Sequence, residues 1–319
     1  VKPRVPAGHG WTVVEFAIAM LLGLLVMLFS GGLLLAAASS FRGNSEAMLL
    51  DDSGRHALEV VQQALRQSAF VNWDVEGAPP ELDTGAAPWI TGLDARSISR
   101  GSDGISQPLP DVANGSDVLA IRFSGSGGGS NGDGSMLNCA GFGVATPATE
   151  AERGWSIFYV ALNGQGDTEL RCKYRGANSW GADAVVRGVD SFQVLYGLDT
   201  DTPADGLPNT YVNADAISAL DAGLVLVGST PAELRRDFNR KTNWKRVCSV
   251  KLALLLRGDA ASRPDSTPGQ FDLFGKAYAD AHGDDAGVRI VESRLPMAQQ
   301  LRVRQVFSAT VMLRNRGGG

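Results

Sequence analysis

The chain has 319 residues, 44% hydrophobic and 20% charged, which is enough apolar material for a real core and excludes wholesale disorder. Acidic side chains outnumber basic ones, 34 to 29, for a formal net charge of -5, and this argues against a nucleic-acid binder that works through a concentrated positive surface. Three cysteines and three histidines leave too few ligands for zinc fingers, zinc ribbons or iron–sulfur clusters, and 39 glycines predict long loops between short strands.

Residues 1–10 carry Lys2, Arg4 and His9 and no acid, the sign found on the cytoplasmic side of a membrane. Residues 16–38 contain no charged side chain, a length that spans a bilayer. Three readings compete: a secretory signal, a plain anchor, and a segment cut on its cytoplasmic side. Ala36-Ala37-Ala38 fits the small-residue rule for signal cleavage, but the apolar run exceeds the usual ~7–15 residues. A plain anchor fits the length and leaves Glu15 unexplained at the start of the run. An unpaired carboxylate deep in lipid costs up to ~3 kcal/mol, so its presence invites a functional reading.

The third reading accounts for both features. Gly10-Trp11-Thr12-Val13-Val14-Glu15 resembles the processing site of type IV prepilins, in which a short basic leader ends in Gly and is followed by an aromatic residue, a few small or branched residues and Glu. The resemblance implies cleavage by a prepilin peptidase between Gly10 and Trp11 and methylation of the new N-terminus. It also implies that Glu15 pairs with the terminal amine of a neighbouring subunit during assembly. Trp11 departs from the family, where Phe is usual; Trp is still aromatic and prefers the interface. The pairing has a physical basis of its own, because a carboxylate and an ammonium buried together in lipid neutralise each other and penalise any register that separates them. The four-residue offset places Glu15 about one helical turn, roughly 6 Å, from the new end. Loss of Lys2 and Arg4 leaves 27 basic against 34 acidic residues, a formal charge of -7.

The helical pattern continues from Phe41 to about Phe70, where Ala57, Val60, Val61, Ala64, Leu65 and Ser68 repeat at helical spacing and draw one apolar stripe. Gly31, Gly32 and Gly43 are weak points of this long helix, each costing ~1 kcal/mol relative to Ala. Residues 73–116 are rich in Gly, Pro, Asp and Ser and read as loop. Period-two runs follow at residues 118–123, 155–162, 169–174, 185–196, 247–257 and 301–313 and predict strands. In the last, Leu301, Val303, Phe307, Ala309, Val311 and Leu313 form a core face, and Arg302, Arg304, Ser308, Thr310 and Arg314 a wet one. The fold class expected is α+β: a long N-terminal helix, transmembrane then amphipathic, packed on a mostly antiparallel β-sheet head with long Gly-rich loops. The divisions expected are a leader at 1–10, a transmembrane or fibre-core helix at 11–38, its amphipathic continuation at 39–70 and a periplasmic or extracellular head at 71–319.

Several segments narrow the resemblance. Ser53-Gly54-Arg55-His56-Ala57-Leu58, Gly115-Ser116-Asp117-Val118-Leu119-Ala120, the pair Cys139 and Cys172, Tyr196-Gly197-Leu198-Asp199-Thr200-Asp201 and Leu313-Arg314-Asn315-Arg316 together resemble the PilW-type minor pilins. That likeness implies a non-enzymatic role in priming a type IV pilus or capping its tip, in support of twitching motility and surface attachment. It implies other minor pilins, the major pilin and the prepilin peptidase as partners. It also implies residence in the inner membrane with a periplasmic head, then on the cell surface. A minor pseudopilin of a type II secretion system shares the same physics, and an anchored periplasmic binding protein or adhesin stays open as a different class.

Cys139 and Cys172 flank the strand expected at 155–162, and oxidation in a periplasm would close a loop of about 33 residues, worth roughly 3–4 kcal/mol in the chain-entropy model. Cys248 lies in phase with Val250, Leu252, Leu254 and Leu256 and reads as a buried small hydrophobe. Asp199, Asp201 and Asp205, followed by Gly206, place hard carboxylates near a turn glycine and make the best calcium candidate, with Asn209 as a supplementary ligand. The spacing excludes an EF-hand, and the plainer reading of these residues is a solvated Asp-Pro-Gly turn. No other cofactor is indicated. Gly-rich matches to G-x-S-x-G and G-x-G-x-x-G at residues 127–132 lack the strand–turn–helix setting that either chemistry needs. Arg235-Arg236, Arg240-Lys241 and Lys245-Arg246 cluster around Trp244, but Glu233 and Asp237 offset them, and no nucleic-acid partner is expected.

Overall fold

The computed structural model describes residues 12–70, 84–110, 113–176, 179–259, 263 and 267–314. The chain forms two compact units, Val1–Met48 and Leu49–Gly319. One helix, α1 (Val13–Gln67), contributes to both and runs unbroken through Gly31, Gly32 and Gly43.

In the first unit α1 carries Leu24, Val26, Leu28, Phe29 and Leu33 exposed on all sides. A helix apolar all round has no single face to bury and is suited to lipid or to other helices. It is long and apolar enough to cross a membrane.

In the second unit α1 is amphipathic, and Ala57, Val61, Ala64, Leu65 and Ser68 of the expected stripe are buried while Val60 is half-buried. The outer face carries the Arg55–Asp51 pair at 2.8 Å and the Arg66–Glu59 pair at 3.0 Å. The stripe meets a core shared by two antiparallel sheets. The first is a five-stranded meander of β1 (Ile90–Leu93), β2 (Val118–Phe123), β3 (Gly154–Leu162), β4 (Thr168–Arg175) and β5 (Trp180–Arg187) in that order. The second has the order β11 (Arg304–Met312), β8 (Val247–Arg257), β6 (Val189–Leu198), β7 (Thr210–Val212).

Both sheets are also covered on their second faces. Ile98 and its loop pack on Val118, Ala120, Ile157 and Tyr159 of the first. Leu273, Ile290 and Leu295 pack on Ala253 and Leu255 of the second, from an excursion that holds the β9 (Gln270–Asp272) and β10 (Arg289–Val291) pair and α4 (Lys276–Ala281). Double coverage explains why β2, β6 and most of β8 are buried at every position rather than at alternate ones.

The run at 185–196 belongs to two strands in different sheets, which corrects the single strand read there. Gly188, at φ +72, makes the break, and a Cβ at that position would press on the Arg257 carbonyl at 2.7 Å. The loop expected at 73–116 contains β1. The alternation at 301–313 holds only from Phe307 onward. Leu301 is exposed, and Arg304, expected on the wet face, is buried. Leu301 sits at φ +58 in the approach to the strand, so period-two parity does not extend back through it.

Two further helices, α2 (Ala214–Ala222) and α3 (Pro231–Lys241), escape the periodicity reading. Only Asp237 of α3 is buried, so no apolar stripe marks it. Its local signal is the capping box Thr230 and Glu233 around Pro231 at the first helical position.

Candidate functional site

Glu15 lies in the first turn of α1. Its Oε2 accepts from the Thr12 amide at 2.8 Å and from Thr12 Oγ1 at 3.0 Å, while the Glu15 amide donates to Thr12 Oγ1 at 3.3 Å. This reciprocal pair is a capping box, and the carboxylate sits at the positive end of the helix dipole. The side chain is therefore held at the very start of the apolar segment. The expected processing residues Gly10 and Trp11 lie outside the described residues.

In the head, Cys139 and Cys172 form a disulfide with Cα atoms 5.9 Å apart. It ties the 137–143 loop to β4 and lines a cleft of about 420 Å³ whose wall includes His56, Gln63, Asp183 and Val185. Cys248 takes no part in the disulfide and is buried, its thiol directed at the Gly197 carbonyl at 3.5 Å.

Asp199, Asp201 and Asp205 come together, with carboxylate oxygens all within 4.8 Å of one another. Asp199 is buried and the other two are exposed. The turn's own donors hold them: the amides of Gly206 and Asp201 bond to Asp199 at 2.5 and 3.2 Å, Asn209 Nδ2 to Asp201 at 3.0 Å, and the Leu207 amide to Asp205 at 2.8 Å. Asn209 Oδ1 accepts from the Thr200 amide at 2.6 Å, so this residue acts on the turn itself.

The segment Gly115-Ser116-Asp117 works as a rivet between the sheets. The Asp117 amide donates to Phe192 O at 2.8 Å, the Phe192 amide to Ser116 Oγ at 3.2 Å, and Gln193 Nε2 to Gly115 O at 2.7 Å. The Asp117 carboxylate then accepts from Ala95 N at 3.1 Å and Val194 N at 2.8 Å. Asp94 receives Asn213 Nδ2 at 2.7 Å, and Tyr278 Oη donates to Asp285 at 2.9 Å. Burial, reinforced by the charge of Asp285, raises the Asp94 carboxyl to about 6. Burial and the charge of Asp94 push Asp117 well above the usual carboxylate range, and burial also raises Asp285. Nothing in the local sequence marks these acids as neighbours, because they converge from three distant segments.

The basic residues from 235 to 246 belong to α3 and the turn after it. Lys241 pairs with Asp237 at 2.7 Å, and Lys245 Nζ donates to Thr84 O at 2.5 Å. Trp244, at their centre, is buried against Tyr196 with ring centroids 4.8 Å apart.

Residues 157–315 match the family described as type IV pilus-assembly protein W. A type IV-like pilin from Thermus thermophilus is similar in structure, with a TM-score of 0.37 and 14% identity over 83% of this chain and 96% of that one. No curated protein matches the chain. The matched region takes in β4 to β8, most of β3, all of β11 and the excursion between the last two strands. Through this region the chain belongs to the type IV pilus-assembly protein W family.

Proposed function

We propose that the protein is a minor pilin, held in the inner membrane before assembly and then placed in a type IV pilus, where it primes the fibre or caps its tip in support of motility and attachment. One observation supports this reading above the others: a chain whose head matches a pilus-assembly family also carries Glu15 at the start of an apolar helix. A carboxylate in that position is costly in lipid and gains most from a neighbouring subunit's terminal amine. The partners on this reading are other minor pilins, the major pilin and the prepilin peptidase. The head, stapled by Cys139 and Cys172, is suited to an oxidising exterior.

The test is the intact mass and N-terminal sequence of the protein from its own cells, with and without prepilin peptidase, combined with Glu15→Ala. The expected results are a peptidase-dependent chain starting at Trp11 and a variant that stays in the membrane but is lost from sheared pili. A chain that begins at Ser39, or one that keeps residues 1–10 while the peptidase is active, would sink the pilin reading. Unimpaired secretion but absent pili in a deletion strain separates a pilus role from a secretion pseudopilus.

A further inference from the structure

Between α2 and α3 the chain Gly223-Leu224-Val225-Leu226-Val227-Gly228 lies outside both sheets. Val225 is 81% and Val227 69% exposed, and Leu226, Leu220 on α2 and Leu234 on α3 are also exposed. The segment is fixed rather than loose. Lys241 Nζ donates to the Val225 carbonyl and the Val227 amide donates to Asp237 Oδ2, both at 2.8 Å. Lys241 and Asp237 in turn pair with each other. At the α2 end, Asp221 accepts from the Asn243 amide and Asn243 Nδ2, both at 2.8 Å, and from Thr242 Oγ1. At the α3 end, the amides of Ser229 and Thr230 both bond to Glu233.

Polar groups are thus spent on holding aliphatic side chains in solvent, a position that costs solubility and brings the head no core. Contiguous exposed apolar surface of this kind marks an interaction site, and a segment already fixed loses little further entropy when a partner covers it.

Charge identifies the occupant. Arg235 and Arg240 are exposed on α3, the helix whose Asp237 and Lys241 hold the segment, and Arg246 is close by in sequence. Of the nearby acids, Glu233 is engaged in the cap, and Asp237 pairs with Lys241 at 2.7 Å and with Arg240 at 4.0 Å. In a chain of net charge -5 this is a local excess of positive charge around an apolar centre, and its complement is an apolar face bordered by carboxylates. The side chains favour protein over lipid, because residues 220–234 contain no Trp, Tyr or Phe, the residues that seat a loop in a membrane interface.

We infer that residues 224–227, with Leu220 and Leu234, dock against an acid-bordered apolar face on the head of a neighbouring filament subunit, with Arg235 and Arg240 setting the register. This rests on the pilus reading for the identity of the neighbour, while the surface itself does not.

The experiment places the photo-crosslinker p-benzoylphenylalanine at Val225 or Val227 in the full-length protein in its own cells, with Leu162, exposed at the end of β3, as control. Adducts are identified by mass spectrometry. The expected adduct joins Val225 to a pilin-head peptide that contains Asp or Glu beside apolar residues, and Leu162 gives none. Arg235→Glu with Arg240→Glu reduces the yield by on the order of tenfold, and changing the partner's acids to Lys restores it. All substituted positions are exposed, and an unchanged unfolding midpoint verifies that the variants fold. An adduct to phospholipid alone, equal adducts at Leu162, no adduct, or a yield indifferent to charge reversal would overturn the proposal. If no adduct forms while the chain is still recovered in sheared pili, the surface fails and the pilus reading stands. A charge-sensitive adduct to an acidic protein that is not a pilin supports the surface and removes the pilus reading.

Discussion

Arg304 on β11 and Asp190 on β6 meet at 2.7 Å with neither side chain open to solvent, across β8, whose Arg257 reaches the same carboxylate at 3.0 Å. Glu292 completes the group, 2.9 Å from Arg304 and 2.8 Å from Arg263. Three strands of the second sheet and the excursion that covers it are joined at this point. Removing Arg304 leaves Asp190 with Arg257 alone and Glu292 with Arg263 alone, so both buried carboxylates lose half of their pairing, at a cost approaching that of a broken buried pair, about 3–5 kcal/mol. Arg304→Ala should therefore lose about that much in urea unfolding of the full chain in detergent. Gln305→Ala, at an exposed neighbour on the same strand, should stay within ~0.5 kcal/mol. A loss below ~1 kcal/mol at Arg304 would mean that the surrounding strands hold without the network.

At Gly54, α1 packs so closely on the second sheet that a Cβ there would run into the Phe307 ring of β11. Both residues are buried, so neither can move into solvent. Gly54→Ala should gain helix propensity, worth ~1 kcal/mol, and lose more through overpacking, which costs about 1–3 kcal/mol. Phe307→Leu should recover part of the loss in the double variant. Additive losses would show that the two residues are not in contact in solution.

Legibility in the sequence followed the simplicity of the burial. The stripe from Ala57 to Ser68 and strands such as β2 and β8 were readable because residues close in sequence share one environment. The Gly188 break was not, since hydrophobic character continues across it and only the backbone changes sheet. Arg304 was misplaced because its partners are Asp190 and Glu292, one of them more than a hundred residues away, and charge alone reads as wet. Asp117 was visible as part of Gly115-Ser116-Asp117, but its role depends on Ala95 and Val194, which only the fold brings to it. The exposure of residues 224–227 carries no sequence signal, because four aliphatic residues in a row look like core.

Cys139 and Cys172 close a loop of 33 residues, and in the chain-entropy model the crosslink stabilises by roughly 3–4 kcal/mol. Replacing both with Ser should lower stability by that order, and reduction of the wild type should lower it by a similar amount. The disulfide also lines the cleft beside α1, so protease cleavage in the 137–143 loop should rise in both cases. An unchanged unfolding midpoint after verified reduction would show that packing of the loop, not the crosslink, fixes it.

Burial and the charge of Asp94 disfavour an ionised Asp117, burial and the charge of Asp285 disfavour an ionised Asp94, and Arg96 and His282 are the basic groups that face Asp94 and Asp285. Asp215 adds negative charge to Asp94, and Tyr278 donates to Asp285. Because the folded pKa of Asp94 is raised to about 6, from an unfolded value near ~3.9, the folded chain binds the proton more tightly than the unfolded chain. The stabilisation is complete below the unfolded value and is lost as pH rises through about 6. Asn at this position imitates the protonated acid, since its Oδ1 can accept from Asn213 and its Nδ2 can donate to Asp117. Asp94→Asn should thus be more stable than wild type at pH ~8, by about 1–2 kcal/mol after allowing for solvent screening. Its stability should also vary less between pH ~4 and ~7. Unfolding midpoints measured from pH ~4 to ~8 decide the matter: a variant less stable than wild type at pH ~8 would mean that Asp94 is ionised in the fold and held there by Asn213 and Arg96.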